Sequence, residues 1–164
     1  GKEVRSAIEN FEATWYGLAV HTDSGVESEV ATGPYLELYG YAREGASAEP
    51  YWLYSTSAAV EGLRVVEYSS ERFKAIAGVA REMAEATTEG GHVRSLGTVR
   101  TCGVYVFVRE DDAWKLAGEF TIINDPDDVA LAWESSPQWL KDIIDGLPEG
   151  DDACGWSAKG YYGW

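Results

Sequence analysis

Residues 104–123 constrain the fold more than any other stretch of the chain. Val104, Val106 and Val108 alternate with Tyr105 and Phe107, the run Arg109-Glu110-Asp111-Asp112 is polar, and Trp114, Leu116, Gly118, Phe120 and Ile122 then alternate with polar or small residues. Period-two patterning on both sides of a polar turn specifies an antiparallel hairpin, because successive strand side chains point to opposite faces. Trp114 to Ile122 are expected on a single face. The first arm reaches back to Val99 and Cys102, and Gly97 and Gly103 would permit bulges or sharp curvature. Such a hairpin has to bury a face, and 164 residues suit one domain with its own core.

Upstream, Tyr51-Trp52-Leu53-Tyr54 and Leu63–Tyr68 are aromatic and β-branched and read as strand. Ser69–Arg72 is a hairpin turn. Beyond it Phe73, Ala75, Ala77 and Val79 alternate at period two, while Ala75, Ile76, Val79 and Met83 also fit a helical face and the alanine content favours helix. The residues alone leave 72–87 open. Near the start, Ser6-x-x-Glu9 has the spacing of a capping box, followed by an apolar stripe at Ile8, Phe11, Trp15 and Leu18. A short second helix is expected with Thr32 as cap, Pro34 in its first turn and Tyr35, Leu36, Leu38 and Tyr39 as its apolar surface. Asp125 and Pro126 open a helix near the C-terminus, and Ser136-Pro137 restarts one carrying Trp139, Leu140, Ile143 and Ile144. The last ten residues hold Trp156, Tyr161, Tyr162 and Trp164.

Charge removes several function classes. With 13 Lys+Arg against 28 Asp+Glu the formal net charge is -15, which opposes broad contact with nucleic acid. No apolar run approaches the ~20 residues of a membrane span. Two His and two Cys leave little room for a zinc, haem or iron–sulfur centre, so neither metal nor cofactor is expected. His21 and His92 read as surface-loop residues. The acidic runs at Asp125–Asp128 and Glu149–Asp152 lack the twelve-residue grammar of a calcium loop. Cys102 lies among apolar residues with no local base, which makes it inert as a nucleophile. The chain begins at Gly1, and Met83 is its single Met, so the expectation is an exported or membrane-anchored protein, with a cytoplasmic one as the alternative. In an exported protein Cys102 and Cys154 form a natural bridge over a loop of about 50 residues; two buried thiols are the other reading.

The order helix, short helix, long antiparallel strands, with a final hairpin ending in Trp114-Lys115-Leu116, resembles the nuclear transport factor 2-like superfamily, also called cystatin-like or ketosteroid isomerase-like. Residues Ala31–Leu36 and the pair Val60–Val66 / Glu71–Ile76 are similar to a bacterial and plastid branch of it. The turn Glu110-Asp111-Asp112-Ala113 lacks the glycine usual there. The resemblance spans residues 6–123 and implies a strongly bent sheet wrapped around a helix as a cone, which makes 72–86 strand. It also implies that a small apolar ligand can sit in the cone mouth, that its enzymes place a desolvated acid, Tyr or His inside, and that two copies often pair through the outer face of the sheet.

The reading is therefore an α+β domain: a strongly curved, cone-shaped antiparallel sheet around N-terminal helices over residues 1–123, with residues 124–164 as a helical extension and aromatic tail packed on the same domain. The pocket candidates are Trp15, Tyr16, Tyr35, Tyr39, Tyr54, Tyr105 and Glu119, with Glu37 as a further acid. The expected function is a non-catalytic binding or scaffolding domain that acts by protein contact or holds a small apolar ligand. The alternatives are an isomerase, dehydratase or hydrolase using a buried carboxylate and Tyr, and an acidic inhibitor of a basic protein.

Overall fold

The computed structural model describes residues 1–17, 27–33, 35–37, 51–87, 92–121 and 137–146. In chain order these form helix α1 (Lys2–Gly17), short helix α2 (Glu27–Val30), strands β1 (Tyr51–Tyr68), β2 (Arg72–Thr87), β3 (His92–Glu110) and β4 (Ala113–Thr121), and helix α3 (Gln138–Asp145). The strands form one antiparallel sheet in the order β1-β2-β3-β4. The stretch that composition left open is β2, paired along its length with β1 and β3: Phe73, Ala75, Ala77 and Val79 join the core on one face while Lys74 and Ile76 are buried on the other, so tertiary burial overrides alanine's preference for helix.

The sheet is curved, and its pairing register shows why. Extra residues fall at Thr56, Glu61 and Val66 on β1, at Val93 and Leu96 on β3, and at Ala117 on β4, while β2 carries none. Each extra residue bends its own strand and raises the local twist. Gly97, next to the Leu96 insertion, has φ 83, a left-handed conformation that glycine adopts without penalty. Gly103 sits in unbroken register with Ala77 and Thr121.

The insertion at Ala117 corrects the single-face pattern expected for β4. Leu116 lies opposite Phe107, whereas Gly118 and Phe120 lie opposite Val106 and Val104, on the other face. One added residue reverses every side chain beyond it. Leu116 and Trp114 accordingly join the core under α1, and Phe120 meets the ring of Trp139 from α3 at 5.1 Å.

The inner face of the sheet carries α1. Val4, Ile8 and Phe11 pack with Val60, Phe73, Ala75, Val79, Tyr105, Phe107 and Leu116. Phe11 meets Phe107 edge-on at 6.3 Å, and Phe73 stacks on Phe107 at 4.9 Å. The helix starts at Lys2 rather than Ser6, so the capping-box spacing is coincidental. Glu9 instead accepts the N–H of Val60 at 3.2 Å, and Arg5 donates to the Val60 carbonyl, so one turn of α1 engages both backbone groups of β1 beside its Glu61 bulge. On the opposite edge the Thr32 N–H donates to the Leu116 carbonyl at 3.0 Å. Residues 35–37 are helical, with Leu36 N–H on the Thr32 carbonyl, as the short-helix reading anticipates.

The outer face is buried in its middle, at Ile76, Cys102, Val104 and Val106. There α3 contributes Trp139, whose ring lies 4.3 Å from the Lys74 ammonium, and the buried Leu140. The remainder of the extension, including Cys154 and the aromatic tail, lies outside the described residues. No helix among the described residues is long and apolar enough to cross a membrane.

The β3–β4 turn holds Asp111 at φ 54 and Asp112 at φ 59, the two left-handed central residues of a type I′ hairpin. Glycine at the second position relieves Asp112's conformation. Asp112→Gly is expected to stabilise the protein by about 0.5 to 1 kcal/mol, read as a higher urea midpoint at unchanged slope, and an unchanged or lower midpoint contradicts this account of the turn.

Candidate functional site

The interior of the fold holds a charged pair. On α1, Glu12 follows Phe11 and stands one turn beyond Ile8, so the helix turns it onto the same buried side, where it is 0% exposed. On β2, Arg81 is the next inward position after Val79. On β3, Tyr105 precedes Phe107 by two and shares its face. The three side chains meet. Arg81 donates from Nε to Glu12 Oε2 and from Nη2 to Oε1, both at 2.7 Å, and the Tyr105 hydroxyl donates to Oε1 at 2.6 Å. The third guanidinium nitrogen, Nη1, reaches Thr101 Oγ1 at 2.7 Å.

The polar chain extends toward β4. Glu119 lies directly across from Tyr105 and accepts the hydroxyl of Tyr35 at 2.8 Å. Burial pushes the Tyr105 hydroxyl well above the usual phenol range, and the charges of Glu119 and Glu12 and the hydrogen bond to Glu12 raise it further. Tyr105 thus keeps its proton and acts as a donor. The fork-like, two-bond contact from Arg81, with Tyr105 added, occupies both Glu12 oxygens. In chemical terms the group is a clasp: it ties one helix to two neighbouring strands and has no proton in transit.

A second, exposed hub stands where α1 begins. Glu3 accepts from Trp114 Nε1 at 2.7 Å, Arg109 Nη2 at 2.7 Å and the Tyr68 hydroxyl at 2.9 Å. The Trp114 hydrogen bond first, then that of Tyr68, hold the Glu3 carboxyl below its ordinary value against the opposing effect of burial, and the charge and hydrogen bond of Arg109 add smaller contributions. The Arg109 guanidinium lies 4.5 Å from the Trp114 ring centre.

Of the pocket candidates, Tyr35, Tyr105 and Glu119 come together in the interior. Glu37 is exposed. Trp15 and Tyr16 fall on the last turn of α1 and Tyr54 on β1, with side chains outside the described part, and Tyr39 and His21 lie outside the described residues altogether. His92 begins β3. Cys102 is fully buried. Sequence reasoning missed Glu12 and Arg81. A signal existed: a carboxylate on the apolar side of a helix and a guanidinium on the apolar alternation of a strand are each costly alone and imply a mutual partner. Among the described residues no set of three or more His, Cys, Asp or Glu gathers at metal-ligand geometry.

No protein-family profile and no curated protein sequence matches the chain. Solved structures similar to it include the intermembrane space region of the chloroplast protein ARC6, at 12% identity and a TM-score of 0.46 over 71% of this chain and 95% of that one. A putative calcium/calmodulin dependent protein kinase II association domain from Xanthomonas campestris matches at 10% identity and 0.45, over 73% and 84%. A domain of unknown function with a cystatin-like fold from Nostoc punctiforme matches at 14% identity and 0.43, over 85% and 91%.

Removing one member of the interior pair strands the other. Arg81→Met is expected to destabilise the protein by about 3 to 5 kcal/mol in urea unfolding. The double variant Glu12→Leu/Arg81→Met should lose clearly less than the sum of its single variants; additive losses contradict the clasp. A hydroxyl held above its unfolded value near 10 stabilises the fold below that pH, and this contribution fades as pH rises toward the folded value, because the unfolded chain releases the proton first. Stability should therefore fall above about pH 10, less steeply in Tyr105→Phe; equal slopes in the two proteins refute the assignment.

Proposed function

We propose that this chain is a cystatin-like, nuclear transport factor 2-like domain used without catalysis, a binding or scaffolding module of an exported or membrane-anchored bacterial protein that acts by protein contact. The observation that carries the reading is the state of Glu12. An acid–base enzyme in such an interior needs a desolvated acid with a proton to give or a free oxygen to accept one. Glu12 is completely buried, yet Arg81 pairs with it through two hydrogen bonds and Tyr105 adds a third.

Exposed apolar side chains on the strands support a role in contact. Leu96 and Val99 on β3 are 41% and 44% exposed, and Val65 and Tyr68 on β1 are also exposed. Oxidising surroundings fit the cysteines: none among the described residues is free, Cys102 is fully buried, and Cys154 is the one other cysteine of the chain. A Cys102–Cys154 bridge would pin the C-terminal extension to β3.

Two measurements test this. A photo-crosslinking amino acid placed at Leu96, Val99 or Tyr68 in the native cell is expected to trap one discrete polypeptide, whereas the same probe at Ser70 traps none. The absence of any strand-specific adduct rejects the contact reading. Intact mass of the unreduced protein should lie two hydrogen atoms below that of the reduced protein; equal masses remove the bridge and with it the support for export.

A further inference from the structure

A groove with almost no side chains on its floor crosses the outer face of the sheet. Gly62 on β1 pairs with Gly78 on β2, and Gly78 pairs with Cys102 on β3, so the three stand in one row across the strands. Residues in register share a face, and Gly78 alternates with the core residues Ala77 and Val79, which puts the row on the side away from α1. Arg64, Ile76 and Val104 form one wall, and Ala59, Ala80 and Arg100 form the other. Along β2 the walls are four residues apart, which is ~13 Å. Burial is graded along the row: Cys102 is 0% exposed and Gly78 is buried, Gly62 is half-buried, and Ala59 and Arg64 beside it are exposed. An outward-facing glycine is buried only where something lies on it. Trp139 of α3 reaches Lys74 and Phe120, but Lys74 stands four residues, or ~13 Å, from Gly78 along β2.

We propose that this groove is the docking site of the chain's own aromatic tail, residues 155–164, which enters over Cys102 and runs across β2 toward the edge strand β1. The proposal rests on the Cys102–Cys154 bridge of the scaffolding reading, because a disulfide holds its two Cα atoms within about 6 Å and so delivers the start of the tail to the covered end of the row. Reach is sufficient: two strand spacings, ~10 Å, separate Cys102 from Gly62, against ~33 Å for ten extended residues. The chemistry matches as well. The tail carries Trp156, Tyr161, Tyr162 and Trp164, and an aromatic ring laid over strand glycines covers backbone that has no side chain of its own. Charge agrees at the entrance. Asp151 and Asp152 stand just before Cys154, and Arg100, paired with Glu61 yet 55% exposed, stands two residues from Cys102 on the same face. The tail is then a strap that closes the outer face of the sheet.

Lys159 supplies the readout, because trypsin cuts after it and severs Gly160–Trp164 from the tail. In the unreduced protein this cut is expected to be at least tenfold slower than in Gly78→Val, whose side chain fills the floor of the groove. Neither Gly62 nor Gly78 has a positive φ, so valine suits the backbone at both positions. Should Gly78→Val not fold, Gly62→Val at the sheet edge should speed the cut at least threefold. Ser57→Val, on the same face but outside the groove, should leave the rate unchanged. A photo-crosslinking amino acid in place of Trp156 in the purified protein should join the tail to the tryptic peptide Ala75–Arg81, which holds Gly78. Intact mass before and after reduction separates the two ways of failing. With the bridge present, equal rates in the parent and both glycine variants, equal acceleration by Ser57→Val, or no adduct on Ala75–Arg81 overturns the docking and leaves the bridge standing. Equal masses overturn the bridge, and the docking with it.

Discussion

The contact between Glu12 and Arg81 is the constraint on which the arrangement of helix and sheet depends. Neither charge is tolerable alone in the interior, since an unpaired buried ion is disfavoured by several kcal/mol. Each therefore has to find the other, and only one rotation and one axial position of α1 against β2 bring them to 2.7 Å. Tyr105 extends the same demand to β3, and Thr101 takes up the remaining guanidinium nitrogen. Apolar packing of Val4, Ile8 and Phe11 supplies most of the attraction between helix and sheet, but it is tolerant of small shifts. The ionic clasp is not tolerant, and it turns a greasy contact into a defined one.

Curvature makes that contact possible. The insertions on β1, β3 and β4 leave β2 as the unbroken strand around which its neighbours bend. A bent sheet presents one face as a trough for α1 and the other as a shoulder. At the shoulder's centre α3 brings Trp139 over Lys74 and Phe120. The outer surface that the superfamily resemblance associates with pairing of two copies is thus partly occupied by the chain's own helix. Val99, also exposed, lies opposite Arg81 and so belongs to the face that carries α1.

The chemistry of the molecule divides in the same way. In the interior, Glu12, Arg81, Tyr105 and Thr101 hydrogen-bond to one another. At the periphery, the type I′ turn holds two left-handed aspartates, and one of them, Asp111, pairs with the Lys115 ammonium at 3.4 Å. A fold whose interior acid is locked can still carry function at its edge, where turns and helix ends bring polar groups together without having to bury all of them.

Much of the architecture was legible in the sequence because it is local. Alternation at Phe73–Val79 and at Val104–Val108, the polar turn at Arg109–Asp112 and the stripe at Ile8 and Phe11 each report a burial pattern that any compact structure must respect. Resemblance rather than propensity placed 72–86 in a strand. Register was not legible: nothing local marks Ala117 as the inserted residue, because a bulge is decided by what the partner strand presents, and so the sides taken by Gly118 and Phe120 were misassigned. The site was half legible. Tyr35, Tyr105 and Glu119 were anticipated as interior candidates, but Glu12 and Arg81 are 69 residues apart in the chain and acquire meaning only as a pair. By itself the sequence determined the last hairpin and the apolar stripe at Ile8 and Phe11, since those follow from period and composition. Only the tertiary structure decided which charges meet, because pairing energy depends on distance and burial, and neither is a property of a residue's neighbours along the chain.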